Sequence, residues 1–154
     1  MINVLFVCLG NICRSPMAEV VFNDMLEKEG LAGKVSVDSA ATSSYEVGNP
    51  THEGTVERLA KEGLSAEGIR SRPLNDNDLE ADYIVAMDSS NIENIKDFID
   101  GRNSGKVRKL LSYAERDDDI ADPWYTGNFD VTYDDVVEGC RALLEEIKEK
   151  HFSE

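Results

Sequence analysis

The chain has few of the residues that stabilise small proteins through cross-links or metal ions. It contains three cysteines and two histidines among 154 residues. An odd number of cysteines argues against a disulfide framework and fits a reducing compartment. His52 and His151 lie far apart, and neither has the spacing to a cysteine that metal ligands show. We therefore expect no metal site, and we expect both histidines to be solvated surface residues.

Positive charge is also scarce, since 16 basic residues face 31 acidic ones and the formal net charge is −15. This balance argues against a nucleic-acid partner and against an anionic membrane surface. The chain begins directly with an apolar segment, without a basic region, a signal-like stretch or a cleavage site, so we expect a cytoplasmic location. No linker, repeat or low-complexity segment interrupts residues 1–154, which predicts a single domain.

Segments typical of strands and helices alternate along the chain. Short, β-branched apolar runs predict buried strands at 2–7, 35–40, 83–87 and 106–111. Apolar spacings of three and four predict helices from Pro16 to a stop at Gly30, over 51–61, from a cap at Ser89 or Ser90 through Ile99, and over 133–150. Repeated βα units predict an α/β fold: a doubly wound, Rossmann-like or flavodoxin-like domain with a central four-stranded parallel sheet flanked by helices.

The first predicted strand leads into a helix through a loop that ends in arginine. The loop is Cys8-Leu9-Gly10-Asn11-Ile12-Cys13-Arg14, and Ser15 follows it. A loop between a buried strand and a helix points free backbone N–H groups at one spot, where the helix dipole also favours an anion. Arg14 adds a planar guanidinium that can hold two phosphate oxygens. Residues 9–14 therefore predict a phosphate site, followed by a helix with Ser15 as N-cap and Pro16 at its first position.

Cys8 is the candidate nucleophile at the base of this loop. A helix N-terminus and a nearby guanidinium both favour a thiolate over a thiol. Ser15 could donate its hydroxyl hydrogen to that thiolate. A cysteine buried only for packing is the alternative. The sequence of strand, glycine turn, Arg14 and helix start favours the nucleophile.

Displacing an alcohol from a phosphate ester also requires a proton donor. Asp122 is the best candidate, and the alternative is that it merely ends the acidic segment 115–122. Pro123 stiffens the backbone after it, and Trp124 and Tyr125 could flank an aromatic leaving group. Together with Ile12 and Tyr45, these two aromatic residues predict the walls of a deep slot that accepts a ring.

Three segments resemble the low-molecular-weight protein tyrosine phosphatases. The run CLGNICRSPMAE, residues 8–19, is similar to the family signature, and Asp-Pro-Trp-Tyr, residues 122–125, resembles the loop whose Asp protonates the leaving group. Asp38-Ser39-Ala40 resembles a strand end whose serine hydrogen-bonds the loop asparagine, here Asn11. The resemblance implies hydrolysis of phosphotyrosine in proteins through a phosphocysteine intermediate, without a cofactor. It also implies a reversible disulfide between Cys8 and Cys13, and a monomer or weak dimer.

Other activities occur on related scaffolds or with the same loop. Protein arginine phosphatases tend to carry Thr where Ile12 stands. Arsenate reductases need further cysteines in the middle of the chain, whereas none lies between Cys13 and Cys140. Cys140 falls on the apolar face of the last predicted helix and is explained by packing. A module that binds a phosphorylated partner without hydrolysing it is the non-enzymatic alternative.

The chain departs from the usual pattern of the resembled family at three positions. Many members carry His near the position of Ile69, and Asp and Arg where this chain has His52 and Gly54. These differences bear on the hydrogen bonds that support the loop around Asn11. The residues predicted to touch the phosphate are all present.

Overall fold

A computed structural model of the chain describes residues 1–152, which form a parallel sheet between two layers of helices. The strands are hydrogen-bonded in the order β2-β1-β3-β4, and every neighbouring pair is parallel. The strands are β1 (Ile2–Cys8), β2 (Val35–Ala41), β3 (Tyr83–Ala86) and β4 (Lys106–Lys109). The helices are α1 (Arg14–Lys28), α2 (Glu53–Ala60), α3 (Ser89–Ile99), α4 (Pro123–Thr126) and α5 (Phe129–His151).

Both faces of the sheet are buried because the side chains of β1 alternate between two apolar cores. Val4 and Phe6 join the larger core, to which α1 and α5 contribute one face each. Leu5 and Val7 join the smaller core, which α3 covers on the opposite side. A strand buried on both faces has a continuous apolar sequence, as residues 2–7 do. The predicted doubly wound α/β fold with four parallel strands is confirmed.

The strand order determines where a ligand can bind. The chain moves from β1 outward to β2 and then returns past β1 to β3, so the direction of winding reverses between β1 and β3. In open parallel sheets, ligands bind beyond the carboxyl ends of the strands at this switch point. The loop after β1 and Asp88 after β3 meet there.

Two helices begin differently from the sequence prediction. Helix α1 begins at Arg14, with Cys13 as its N-cap residue and no capping side chain, so Ser15 is not the cap and Pro16 is not the first residue. The hydroxyl of Ser15 instead faces the sulfur of Cys8. Helix α3 is capped by Asp88, rather than by either serine, because its carboxylate accepts the Asn91 amide hydrogen at 2.7 Å.

The other differences concern the ends of elements. The chain leaves β4 at Lys109 and tightens into a 3-10 turn over Leu110–Ala114, which buries both leucines. Helix α5 begins at Phe129, capped by Asn128, and α2 spans only Glu53–Ala60. No helix within residues 1–152 combines the length and apolar character needed to cross a membrane.

Candidate active site

The loop between β1 and α1 curls around one point with its carbonyl groups directed outward. The Ser71 hydroxyl donates to the Gly10 carbonyl at 2.7 Å, and the His52 amide donates to the Ile12 carbonyl at 2.7 Å. Further donors bind the carbonyls of Cys8, Leu9 and Cys13. Because C=O and N–H point in opposite directions across a trans peptide, the loop amides face inward, as an anion cradle requires.

Asn11 fixes the curvature of the loop. Its backbone is left-handed, with φ of 56°, a conformation that Asn adopts more readily than most residues. Its side-chain amide donates to Ser15 Oγ at 2.7 Å and to Ser39 Oγ at 3.0 Å. Its side-chain carbonyl accepts the Arg72 amide hydrogen at 3.1 Å. The hydrogen bond between Asn11 and Ser39 that the resemblance implies is therefore present, and the Asn11 side chain supports the loop from behind.

The Cys8 sulfur lies at the base of the loop between two hydrogen-bonding groups. The Asn11 amide donates to Sγ at 3.2 Å, and Ser15 Oγ lies 3.1 Å from Sγ. Since Ser15 Oγ already accepts from Asn11, its own hydrogen is free to point at the sulfur. Cys8 is 3% exposed, so few water molecules compete with these donors. Both groups can donate a hydrogen bond to the sulfur.

Arg14 lies across the cradle and is held by acidic residues from two other parts of the chain. Its Nη1 donates to Asp88 Oδ2 at 2.8 Å and to the Ile120 carbonyl at 2.9 Å, and its Nη2 lies 3.4 Å from Asp122 Oδ2. Burial alone would lower the pKa of Arg14, but Cys8, Asp88 and Asp122 outweigh it and raise that pKa. The guanidinium is therefore a permanent, oriented cation although it is almost fully buried.

Asp122 enters the site as the residue that caps α4. Its Oδ1 accepts the Trp124 amide hydrogen at 3.0 Å, while its Oδ2 faces Arg14. Pro123 occupies the first position of this helix, where proline is favoured because no N–H is required. The acidic segment before Asp122 is used differently, since Asp119 pairs with Lys109 at 3.1 Å.

The loop, Arg14 and the aromatic residues line one cavity of about 210 Å³. Its lining contains the predicted wall residues Ile12, Tyr45, Trp124 and Tyr125 together with Cys8, Leu9, Gly10, Cys13, Arg14, Asp122 and Glu46. Tyr45 and Tyr125 are 82% and 78% exposed, so they form the rim, whereas Ile12 is buried near the base. Asn11 is the one predicted loop residue that does not line the cavity, because its side chain faces Ser15 and Ser39.

The two remaining cysteines have different surroundings. Burial, with Asp122 and Cys8 nearby, raises the pKa of Cys13 to about 12, so Cys13 is a neutral thiol at physiological pH. Cys140 is fully buried in the larger core, as the packing interpretation predicts.

Within residues 1–152, no group of three His, Cys, Asp or Glu side chains is arranged to hold a metal ion.

Three supporting residues were missed by sequence reasoning. Asp88 follows a predicted buried strand, so its position at the carboxyl edge of the sheet was an available signal. Ser71 and Arg72 come from an irregular segment and carried no such signal. Ser71 and Arg72 donate hydrogen bonds to the loop around Asn11, for which many members of the resembled family have a histidine near position 69. Ile69 itself packs against the larger core.

The expectation that both histidines are solvated is wrong for His52. Its ring is half-buried, and its Nδ1 accepts the Gly54 amide hydrogen at 2.9 Å as the cap of α2. His151 is exposed, with its Nε2 3.0 Å from the hydroxyl of Tyr83.

The fold and the site define a class: doubly wound α/β proteins with an anion-binding loop, an arginine and a buried cysteine at the switch point of the sheet. The family model described as low molecular weight phosphotyrosine protein phosphatase matches residues 3–153. The chain belongs to this family.

Relatives match the chain over nearly its full length. A low molecular weight protein-tyrosine-phosphatase of Bacillus subtilis, YfkJ, is 46% identical across 97% of this chain and 98% of its own. Its crystal structure superposes with a TM-score of 0.94, covering 98% of this chain and 97% of that one. PtpA of Staphylococcus aureus is 43% identical over 96% of this chain and 94% of its own. The structure of a Drosophila arginine phosphatase is also similar, with 31% identity, a TM-score of 0.89 and coverage of 97% and 99%.

Proposed function

We propose that this protein hydrolyses phosphotyrosine in proteins through a phosphocysteine intermediate, using Cys8, Arg14 and Asp122. The observation that carries the proposal is that these residues share one cavity. Cys8 and Arg14 lie at its base, Asp122 at its side and aromatic residues at its rim. Cys8 at the base is 3% exposed and Tyr45 at the rim is 82% exposed. This arrangement suits a phosphate carried on an aromatic ring, since the short side chain of phosphoserine would not bring its phosphate to the loop.

In the first step, the Cys8 thiolate attacks phosphorus while the loop amides and Arg14 hold the equatorial oxygens. The S–P bond forms as the bond between phosphorus and the tyrosine oxygen breaks. Protonated Asp122 gives its proton to the departing phenol oxygen, so a phenol leaves instead of a phenolate. Asp88 holds Arg14 from behind throughout, through the 2.8 Å contact.

In the second step, water attacks the phosphocysteine. Asp122, now ionised, accepts a proton from this water, and the S–P bond breaks. Ser15 stabilises the departing Cys8 thiolate through the contact between Oγ and Sγ. Inorganic phosphate leaves, and the thiolate and protonated Asp122 are restored. No step requires a metal ion or an organic cofactor.

Phosphoarginine is the second candidate substrate, and one feature of the cavity favours it. Glu46 and Asp122 both line the cavity, and carboxylates attract a guanidinium. The apolar Ile12 and the aromatic residues at the rim favour a phenyl ring instead. Because the structure also resembles that of an arginine phosphatase, phosphoarginine has to be tested beside phosphotyrosine.

A panel of peptides with one sequence and three phosphorylated residues tests the proposal. We expect phosphotyrosine to be hydrolysed with a kcat/KM at least 100-fold above that of phosphoserine, on the order of what a missing ring contact and a misplaced phosphate cost. Phosphate release is measured with reductant and EDTA present. A preference for phosphoarginine would place the protein with the arginine phosphatases, and no turnover of any peptide would favour the binding module.

We also propose that Cys8 and Cys13 form a reversible disulfide. Because burial raises the pKa of Cys13, Cys8 is the thiol expected to react first: its thiolate attacks hydrogen peroxide, the O–O bond breaks and hydroxide leaves, which gives a sulfenic acid. The Cys13 sulfur then attacks the Cys8 sulfur, and the disulfide forms with loss of water. Peroxide should inactivate the enzyme, and dithiothreitol should restore it. Peptide mapping should show a Cys8–Cys13 link. Irreversible sulfonic acid at Cys8 beside a free Cys13 would contradict this proposal.

We infer that residues 1–154 act as one domain and that the partners are tyrosine-phosphorylated proteins, in the cytoplasm, without nucleic acid or membrane. The exposed aromatic residues at the rim fit a monomer or a weak dimer.

A further inference from the structure

The first turn of α2 and its N-cap residue, His52, contact both loops that form the candidate active site. The His52 amide donates to the Ile12 carbonyl at 2.7 Å, and the Thr55 hydroxyl donates to the Cys13 carbonyl at 3.3 Å. The start of α2 is therefore attached to the phosphate loop through main-chain groups of that loop.

The imidazole of His52 faces the other loop. Its edge-to-face contact with the Trp124 indole has a centroid distance of 5.6 Å and an interplanar angle of 80°. Its face stacks on Phe129, with a centroid distance of 5.4 Å and an angle of 23°. Because Nδ1 accepts from the Gly54 amide, the ring is held at one nitrogen and on two aromatic sides. Its orientation is thus determined by the fold.

Gly54 allows this arrangement. A Cβ atom at this position would lie 2.2 Å from the Phe129 ring, so only glycine lets Phe129 close against α2 and support the imidazole. An ion pair between Arg58 Nε and Asp130 Oδ1, at 2.7 Å, fastens α2 to α5 beside the same contact. The departures from the family pattern at His52 and Gly54 therefore belong to one packed unit.

Trp124 has few other reasons to keep one position. It is 56% exposed, lines the cavity and belongs to a helix of only four residues. An exposed indole on so short an element is ordered only by its neighbours. We propose that His52 is a positioning residue whose imidazole fixes the Trp124 indole as the wall of the substrate slot. This inference rests on the proposed function, because it assigns the wall a role in binding the aromatic ring of the substrate.

Two substitutions separate the aromatic contact from the helix cap. His52→Asn keeps an oxygen that caps α2 but removes the ring, whereas His52→Phe keeps a ring but removes the cap. For His52→Asn we expect kcat/KM for a phosphotyrosyl peptide to fall about threefold to tenfold, the size of one aromatic pair. His52→Phe should retain most of the activity. The inhibition constant of inorganic phosphate, which reaches only the loop, should stay within twofold in both variants.

A spectroscopic reading distinguishes a fixed wall from a general loss of stability. Trp124 is the only tryptophan in the chain, so acrylamide quenching of its fluorescence reports this indole alone. Quenching should increase in His52→Asn and stay near the wild-type value in His52→Phe. His151→Asn, which removes the other histidine, serves as the matched control and should change neither activity nor quenching.

Two results would overturn the inference: quenching unchanged in His52→Asn, or a weaker inhibition by phosphate that parallels the lost activity. The second result would mean that residue 52 supports the phosphate loop instead of the wall. If the wild-type protein hydrolyses no phosphopeptide, the proposed function fails, while the quenching comparison still decides whether His52 holds Trp124.

Discussion

Cys8→Ser should abolish phosphotyrosine hydrolysis, with kcat falling by roughly 10⁴- to 10⁶-fold, as it does when other enzymes lose a nucleophile or the base that activates it. A serine hydroxyl at this position has no neighbouring base, since the groups around Sγ are the Asn11 amide and the Ser15 hydroxyl. It would remain protonated and attack phosphorus poorly. Single-turnover phosphate release from a phosphotyrosyl peptide measures the loss.

The same variant should still bind phosphate, because the loop amides and Arg14 are unchanged. Binding of a phosphotyrosyl peptide, followed by calorimetry, therefore separates loss of chemistry from loss of the fold. Cys140→Ala is the matched control, since it removes a buried thiol from α5 without touching the loop. Wild-type turnover by Cys8→Ser would remove Cys8 from the role of nucleophile and leave it as a packing residue.

The second large effect is expected for Asp122→Asn. Asparagine keeps a side-chain oxygen that can accept from the Trp124 amide, so α4 retains its cap, but it cannot supply a proton. For a phosphotyrosyl peptide we expect kcat/KM to fall by about 10²- to 10⁴-fold, the usual contribution of a positioned acid. For 4-nitrophenyl phosphate the loss should be much smaller, because nitrophenolate departs without protonation.

The dependence on the leaving group is the decisive measurement for Asp122. A series of aryl phosphates should show a steeper decline of kcat/KM with leaving-group pKa in Asp122→Asn than in the wild type. Asp119→Asn is the control, because the Asp119 carboxylate lies on the same segment but pairs with Lys109. This variant should leave the dependence of kcat/KM on leaving-group pKa unaltered. Equal slowing of all substrates by Asp122→Asn would exclude the acid role.

The parts that the sequence predicted correctly are those whose signals are local. The buried strand, the loop to Arg14 and the apolar face of α5 each occupy one continuous segment, so spacing and residue type suffice. The fold class followed because alternating strands and helices leave few topologies. Ser15 was misassigned because the same residue types that cap helices also bind catalytic groups, and α1 begins two residues earlier than predicted.

Contacts between distant segments could not be predicted. The sequence around Ser71 and Arg72 has no pattern that predicts their hydrogen bonds to the loop after β1, because both residues lie in irregular backbone. His52 was expected at the surface because a lone histidine beside polar residues is usually solvated. Its contacts with Trp124 and Phe129 exist only once α2 and α5 have packed together.

Arg14 is bonded to residues 106 and 108 positions further along the chain. During synthesis, the nucleophile therefore leaves the ribosome long before the proton donor, by on the order of ten seconds at 5–20 residues per second. Until Ile120 and Asp122 have emerged, Arg14 lacks one carbonyl and one of the two carboxylates that orient it. A nascent chain of this protein therefore carries its cysteine early but gains the complete site only after residue 122 has emerged.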